Sequence, residues 1–301
     1  MRRIFAQWYS YGALLVAGGT IDVACRLYPS ALPFWTPWEF SWPVFLTTTL
    51  TLAWYGRGWL RLAPEDQPAF WRTACFVIGV MSIYAVLQTH IDYLAQHMFF
   101  VHRWAHFVLH HAGPFFIALG AAGPVLRAGM PSFLLPLLDA APVRRSVDVL
   151  QHPLIAPLLF VGLLYVWLIP AIHTRVMLDA NLYDLMNWSM AINGVMFWSL
   201  VLDSRPKPPA RYSHLMRALM ILIIELPQMV LGAILSLSMT DYYPVYEICG
   251  RIFPMTALSD MHYGGLIIWL PGTLTSLAAM IVVLWTMRIN EEKEEAIRLL
   301  Q

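Results

Sequence analysis

Residues 215–238 read LMRALMILIIELPQMVLGAILSLS, with only Arg217 and Glu225 charged. A helix that crosses the hydrocarbon core of a bilayer needs about 20 mostly apolar residues, so this stretch reads as a membrane span. Working outward, seven further stretches of the same kind lie near 8–25, 41–60, 70–90, 104–124, 153–173, 184–202 and 263–287. The 301-residue chain is 59% hydrophobic and 12% charged, with a mean hydropathy of +0.60. Ordinary soluble domains carry about twice that charge. The expected fold is therefore all-α: a polytopic bundle of eight transmembrane helices embedded in a lipid bilayer. A formal net charge of +1 offers no basic surface for a phosphate backbone, which sets nucleic acid aside as a partner.

The first span is the weakest, because Gly18, Gly19 and Asp22 dilute it. Arg2 and Arg3 ahead of an apolar run also suit a signal peptide, but no A-x-A-like cleavage site follows. Cytoplasmic loops are enriched in Lys and Arg, and that rule tests the arrangement. With both termini cytoplasmic and eight spans, only Arg26, Arg103, Arg175 and Arg251, four of the nineteen basic side chains, fall outside. Discounting the first span leaves seven and puts Arg2 and Arg3 on the wrong side. The whole chain, 1–301, is expected to form one transmembrane domain, with 291–301 as a short cytoplasmic tail. Residues 125–152, with three prolines and an apolar FLLPLL run, read as a segment lying on the inner surface. Cys25 and Cys249 share the outer side, where a disulfide can survive.

That orientation turns the histidine count into a local statement. Of ten histidines, His90, His97, His102, His106, His110, His111, His173 and His262 lie at the outer side, and only His152 and His214 inside. His102, His106 and His110 recur at i, i+4 and i+8, which places them on one helix face. Imidazole is the commonest protein ligand for transition metals, and Met98 beside His97 adds a soft thioether of the kind that suits Cu(I). The candidate metal ligands are therefore His97, Met98, His102, His106, His110, His111, His173 and His262. Interfacial histidines hydrogen-bonded to their neighbours, and methionines that merely fill helix contacts, are the competing explanation. Glu225, two residues before Pro227, is a buried acid suited either to a structural hydrogen bond or to carrying a proton. Asn187 and Asn193 read as glue between helices.

Several function classes can use such a cluster. A bis-His haem b protein needs two rings facing each other at equal depth, for example His106 or His110 with His173 or His262. Membrane di-iron oxidoreductases use separated His boxes on the cytoplasmic side, whereas this cluster is continuous and outer. No catalytic constellation exists beyond the ligand-like histidines, so a non-enzyme is expected.

A set of ordered motifs also resembles a known family. They are Gln96-His97-Met98, Leu109-His110-His111-Ala-Gly-Pro114, Ala118-Leu-Gly120, Gly194-x-x-Phe197-Trp198, Pro227-x-x-x-Leu231-Gly232, Tyr243-Pro244-x-Tyr246 and Gly264-Gly265-Leu-Ile-Ile-Trp269-Leu-Pro271-Gly272. In this order the chain resembles the polytopic cytochrome c oxidase assembly factor CtaG, associated with caa3-type oxidases. The resemblance implies a multi-pass protein of the bacterial plasma (inner) membrane that supports maturation of a haem–copper oxidase by handling copper on the periplasmic side. Its implied partners are cytochrome c oxidase subunits and a periplasmic copper chaperone. It also implies a His-rich start to the sixth span, where this chain has Tyr183, Asp184 and Asn187, so His173 or His262 would have to complete any site between helices. A metal-free scaffold subunit of a respiratory complex is the alternative.

Overall fold

The computed structural model describes residues 2–299, without the side chains of residues 2–10 and 249; the pairing of Cys25 with Cys249 therefore lies outside the described residues. In chain order the helices are α1 (Arg2–Leu27), α2 (Trp42–Trp59), α3 (Phe70–Gln88), α4 (His90–His97), α5 (Phe99–Phe107), α6 (Gly113–Gly120), α7 (Gly123–Gly129), α8 (Leu135–Leu138), α9 (Ala141–Leu150), α10 (Ile155–Leu168), α11 (Pro170–Met177), α12 (Ala180–Val201), α13 (His214–Leu237), α14 (Val245–Cys249) and α15 (Ala257–Leu299). A π-helical turn, Val108–Ala112, joins α5 to α6. No strand occurs among the described residues.

Three helices, α3, α13 and α15, are long and apolar enough to cross a membrane. Two bent pairs raise the number to five: Phe99–Gly120 with Gly123–Gly129, bent by 75°, and Ala141–Leu150 with Ile155–Leu168, bent by 73°. The sequence-based count was eight. Of the remainder, α12 is long enough at 22 residues, but Asn181, Asp184, Asn187 and Asn193 dilute its apolar character. The span expected at 104–124 starts earlier, at Phe99, and contains the π turn.

Local chemistry explains where these helices begin. The carboxylate of Asp179 accepts from the amides of Asn181 and Leu182 at 2.9 and 3.1 Å, which caps α12, and the Ser213 hydroxyl accepts from Met216 at 3.3 Å to cap α13. α5 has only Met98 at its N-cap, a residue with no cap oxygen. Asp260 of α15, fully buried, supplies it: its carboxylate accepts from the amides of Phe99 and Phe100 at 3.0 and 2.8 Å and from Arg251 at 3.2 Å. A carboxylate at that position also faces the positive end of the helix. The first turn of the histidine-bearing helix is thus fixed from another element.

The most extensive packing in the molecule joins α13 to α15. A Cβ on Gly265 would lie 2.5 Å from the Ser236 hydroxyl, 2.6 Å from the Ser236 nitrogen and 2.8 Å from the Gly232 carbonyl, so the two helices approach closely enough here for only glycine to fit. The connecting segments gather at two ends. At one end, the amide of His90 donates to Phe34 O at 3.3 Å, Tyr183 to Asp92 at 2.8 Å, and Tyr243 to Leu168 O at 2.8 Å. At the other, Arg61 donates to Ala128 O at 2.8 Å, Arg211 pairs with Asp148 at 2.5 Å, and Asn290 donates to Ser204 O at 3.1 Å.

Candidate histidine centre

The histidines sit at the first of these ends, and the π turn decides their arrangement. Pro114 has no N–H, so the carbonyl of residue 110, four positions back, loses its usual α-helical donor. The indole of Trp198 donates to that carbonyl at 3.0 Å, and the Gly113 amide reaches back five residues to Val108 O. A Cβ on Gly194 would lie 2.6 Å from the same carbonyl, so α12 can press against the turn only with glycine there. π turns inside α-helices are frequent at functional sites. Here the turn carries His110 and His111, both buried.

His102 and His106 lie on one face, as the i, i+4 spacing requires, with their Nε2 atoms 3.0 Å apart. His173 joins them from α11 through the Tyr246 hydroxyl, which is 3.0 Å from His173 Nε2 and 3.1 Å from His102 Nδ1. One set of neutral tautomers satisfies the whole chain. His173 Nδ1–H donates to Trp167 O at 3.0 Å, and Tyr246 O–H donates to His173 Nε2. His102 Nδ1–H then donates to the Tyr246 oxygen. Last, His106 Nε2–H is shared between His102 Nε2 and Asn187 Oδ1, the latter at 3.2 Å. His106 Nδ1 is left as a lone pair with no partner.

The remaining sequence candidates divide. His110 lies within the wide turn, bonds Asn193 at 3.1 Å and stacks on Phe160 at 3.8 Å between centroids. His111 stacks on Phe107. His97 turns back to the Tyr93 carbonyl of its own helix at 2.9 Å, and Met98 is buried at the junction of α4 and α5. His262 bonds Ser238 O at 2.7 Å, on the far side of α15. Among the described residues no group of three or more His, Cys, Asp or Glu is set to hold a metal ion; the eight sequence candidates do not form one centre. Asn187 and Asn193 bond across helices, and what they bond are histidines.

Two spaces adjoin the cluster. A cavity of about 20 Å³ is bounded by Arg103, His106, His110, His111, Met190 and Gln228, room for about one water. On the other side, an open vestibule of about 510 Å³ is lined by Glu39, Asp92, Asp179, Asp184, Tyr183 and Asn187, among others, and by no basic side chain. Asn187 therefore stands between the vestibule and His106. Asp92, on α4 outside the spans, has its carboxyl pushed up to about 6, chiefly by burial and further by the charges of Asp184 and Glu39, against the hydrogen bonds of Tyr183 and Gln96.

Sequence reasoning missed Tyr246 and Arg103 as parts of this centre. Tyr246 lay inside a quoted motif without a role, and Arg103, counted with the outer loops just ahead of the expected span at 104–124, falls inside the helix that starts at Phe99. The motif glycines at 194, 232 and 265 now have a physical function in helix approach. No curated protein and no solved structure matches this chain. The family described as cytochrome c oxidase caa3 assembly factor matches residues 53–289, a stretch that contains every residue of the histidine network, and the chain belongs to that family.

Proposed function

We propose that this assembly factor receives copper as Cu(I) at the outer, periplasmic face of a bacterial inner membrane and holds it for insertion into a cytochrome c oxidase. The observation that carries the reading is the His102–His106 pair. Two nitrogens on one tetrahedral ion, each bonded at about 2.0–2.1 Å, stand about 3.3 Å apart, and the two Nε2 atoms are already 3.0 Å apart. Tyr246 fixes His102 from its other nitrogen, the outer support that metal-bound imidazoles have. Copper on His106 Nε2 requires the ring proton to move to Nδ1. Two rings leave coordination positions open for a ligand from a copper chaperone that delivers the ion or from the oxidase that takes it.

The acidic vestibule supports entry of a cation, and its Asn187 wall leads directly to His106. His97 and Met98 do not line it, so the route begins at the vestibule and not at that pair. The gathering of the segments near 27–41, 89–98, 169–184 and 238–257 at the histidine end supports eight spans with both termini cytoplasmic. Arginine concentrates at the opposite end, as the inner side of a membrane protein requires.

Anaerobic Cu(I) loading of the purified protein tests the reading. Wild type is expected to retain about one copper per chain through desalting, and the His102→Ala/His106→Ala variant to lose it. Equal trace copper in both sinks the copper reading and leaves the metal-free scaffold. The small cavity among the rings, about 20 Å³ against the roughly 300 Å³ at which small-molecule sites begin, supports the copper reading over the haem alternative. A visible spectrum of the same sample checks it.

A further inference from the structure

Arg103 has no part in the copper reading, yet it is the most anomalous side chain in the molecule. Its guanidinium is charged at every accessible pH and only 2% exposed. Among the described residues none of its three nitrogens has a hydrogen-bond partner, and no carboxylate pairs with it: Asp260 is committed to Arg251 and the amides of Phe99 and Phe100, and Asp92 to Tyr183 and Gln96. Its guanidinium lies over the ring of Phe99, 5.1 Å from guanidinium carbon to centroid. A buried charge left unpaired costs several kcal/mol, and within a membrane such residues mark functional sites.

We propose that the cavity beside Arg103 is a binding site for one small monovalent anion of halide size. The volume of about 20 Å³ admits one water-sized particle and no phosphate or lipid headgroup. A water would satisfy some N–H groups but would leave the positive charge uncompensated, whereas an anion does both. The opposite wall can contribute donors. Among the described residues no side chain or carbonyl bonds the His111 ring, whose Nδ1 is buried and unpartnered, so its tautomer is not fixed and a ring N–H is free to face the anion. His110 is held only through the side-chain amide of Asn193; with that amide turned over, the ring presents Nδ1–H instead. His106 touches the same cavity. The site stands apart from the copper reading, because Arg103 needs its counter-charge with or without metal.

The test uses the full chain in lipid nanodiscs, stripped of metal by a chelator and titrated with radioactive chloride against gluconate at fixed ionic strength. Wild type is expected to bind about one chloride per chain, and Arg103→Met, which keeps an unbranched side chain but no charge, to bind it at least roughly tenfold more weakly, as loss of a charge-assisted pair implies. A wild-type chain that takes up no chloride, or an Arg103→Met chain that binds it equally well, overturns the proposal and leaves water as the occupant. Should Arg103→Met fail to fold, the wild-type unfolding midpoint decides: it rises saturably with chloride if the site exists, and chloride without effect refutes it. Because the sample is free of copper, failure here leaves the copper reading standing, and failure of copper loading leaves this one.

Discussion

The two ends of the bundle both concentrate polar side chains, and they use them in opposite ways. At the arginine-rich end most charged groups stay in solvent: the Arg127, Arg144 and Arg205 side chains are 51%, 65% and 61% exposed and pair with Asp139 or Asp203, and the one buried arginine of that end, Arg217, is answered by the carbonyls of Asp203 and Arg205. Exposed pairs of that kind are screened and contribute little. At the histidine end the clustered rings have almost no exposure, His102 at 1% and His173 at 0%, and the bonds between them are made in a water-poor interior. There a lost partner leaves a buried group unsatisfied, which costs more than the bond itself was worth. A count of polar residues treats the two ends alike, and burial separates them.

The difference can be broken in three places. The largest effect is expected at the seam that holds the histidine end shut. Gly194→Ala places a methyl group 2.6 Å from the His110 carbonyl and 2.8 Å from the Pro114 ring, and since a backbone must give way it should destabilise by about 3 kcal/mol, read as a lowered unfolding midpoint in detergent. A midpoint equal to that of wild type would mean that α12 does not press on the π turn.

Next comes the network itself. Tyr246→Phe removes the hydroxyl that joins His173 to His102 and should cost about 2 kcal/mol. The matched change at the other end, Arg144→Ala, should produce no measurable shift. Similar losses in both variants would erase the contrast between the ends.

The smallest effect belongs to Asp92. Its folded carboxyl titrates at about 6 against an ordinary 3.8, so its charged form is disfavoured in the folded state. The stability it contributes is fully present below about pH 3.8 and is lost as pH rises through about 6. Relative to Asp92→Asn, wild type should therefore lose stability between about pH 4 and pH 6 and run parallel to the variant above that. Copper uptake by wild type should quicken over the same upward interval as the vestibule gains charge, and uptake by Asp92→Asn should not. Identical pH profiles would show that Asp92 stays ionised throughout.

Much of this was legible in the sequence, for reasons that can be stated residue by residue. Apolar length identifies α3, α13 and α15, since the bilayer imposes that length directly. The i, i+4 period pairs His102 with His106, because the helix repeat alone brings those rings together. Period arguments fail at His110, where the turn at Pro114 adds a residue to the helical repeat and the column ends. They also fail wherever the partner comes from elsewhere in the chain. His173 arrives through the break at Pro170, and Tyr246 sits on a five-residue helix. His97, with the same side chain, only folds back on Tyr93. Arg103 illustrates the general limit: the sequence shows where the charge is, and only the packing shows that nothing answers it.

The glycine contact between α13 and α15 has a mechanical consequence. Where two helices meet through side chains, those side chains can change rotamer and let the helices slide. Where the helices come as close as at Gly232 and Gly265, little side-chain layer is left to slide, and Gln228 of α13 adds a peg by donating to the Ile268 carbonyl of α15 at 3.0 Å. The pair therefore behaves as a single beam. Any opening of the histidine end is therefore expected at the flank where α12 bears on the wide turn of residues 108–112.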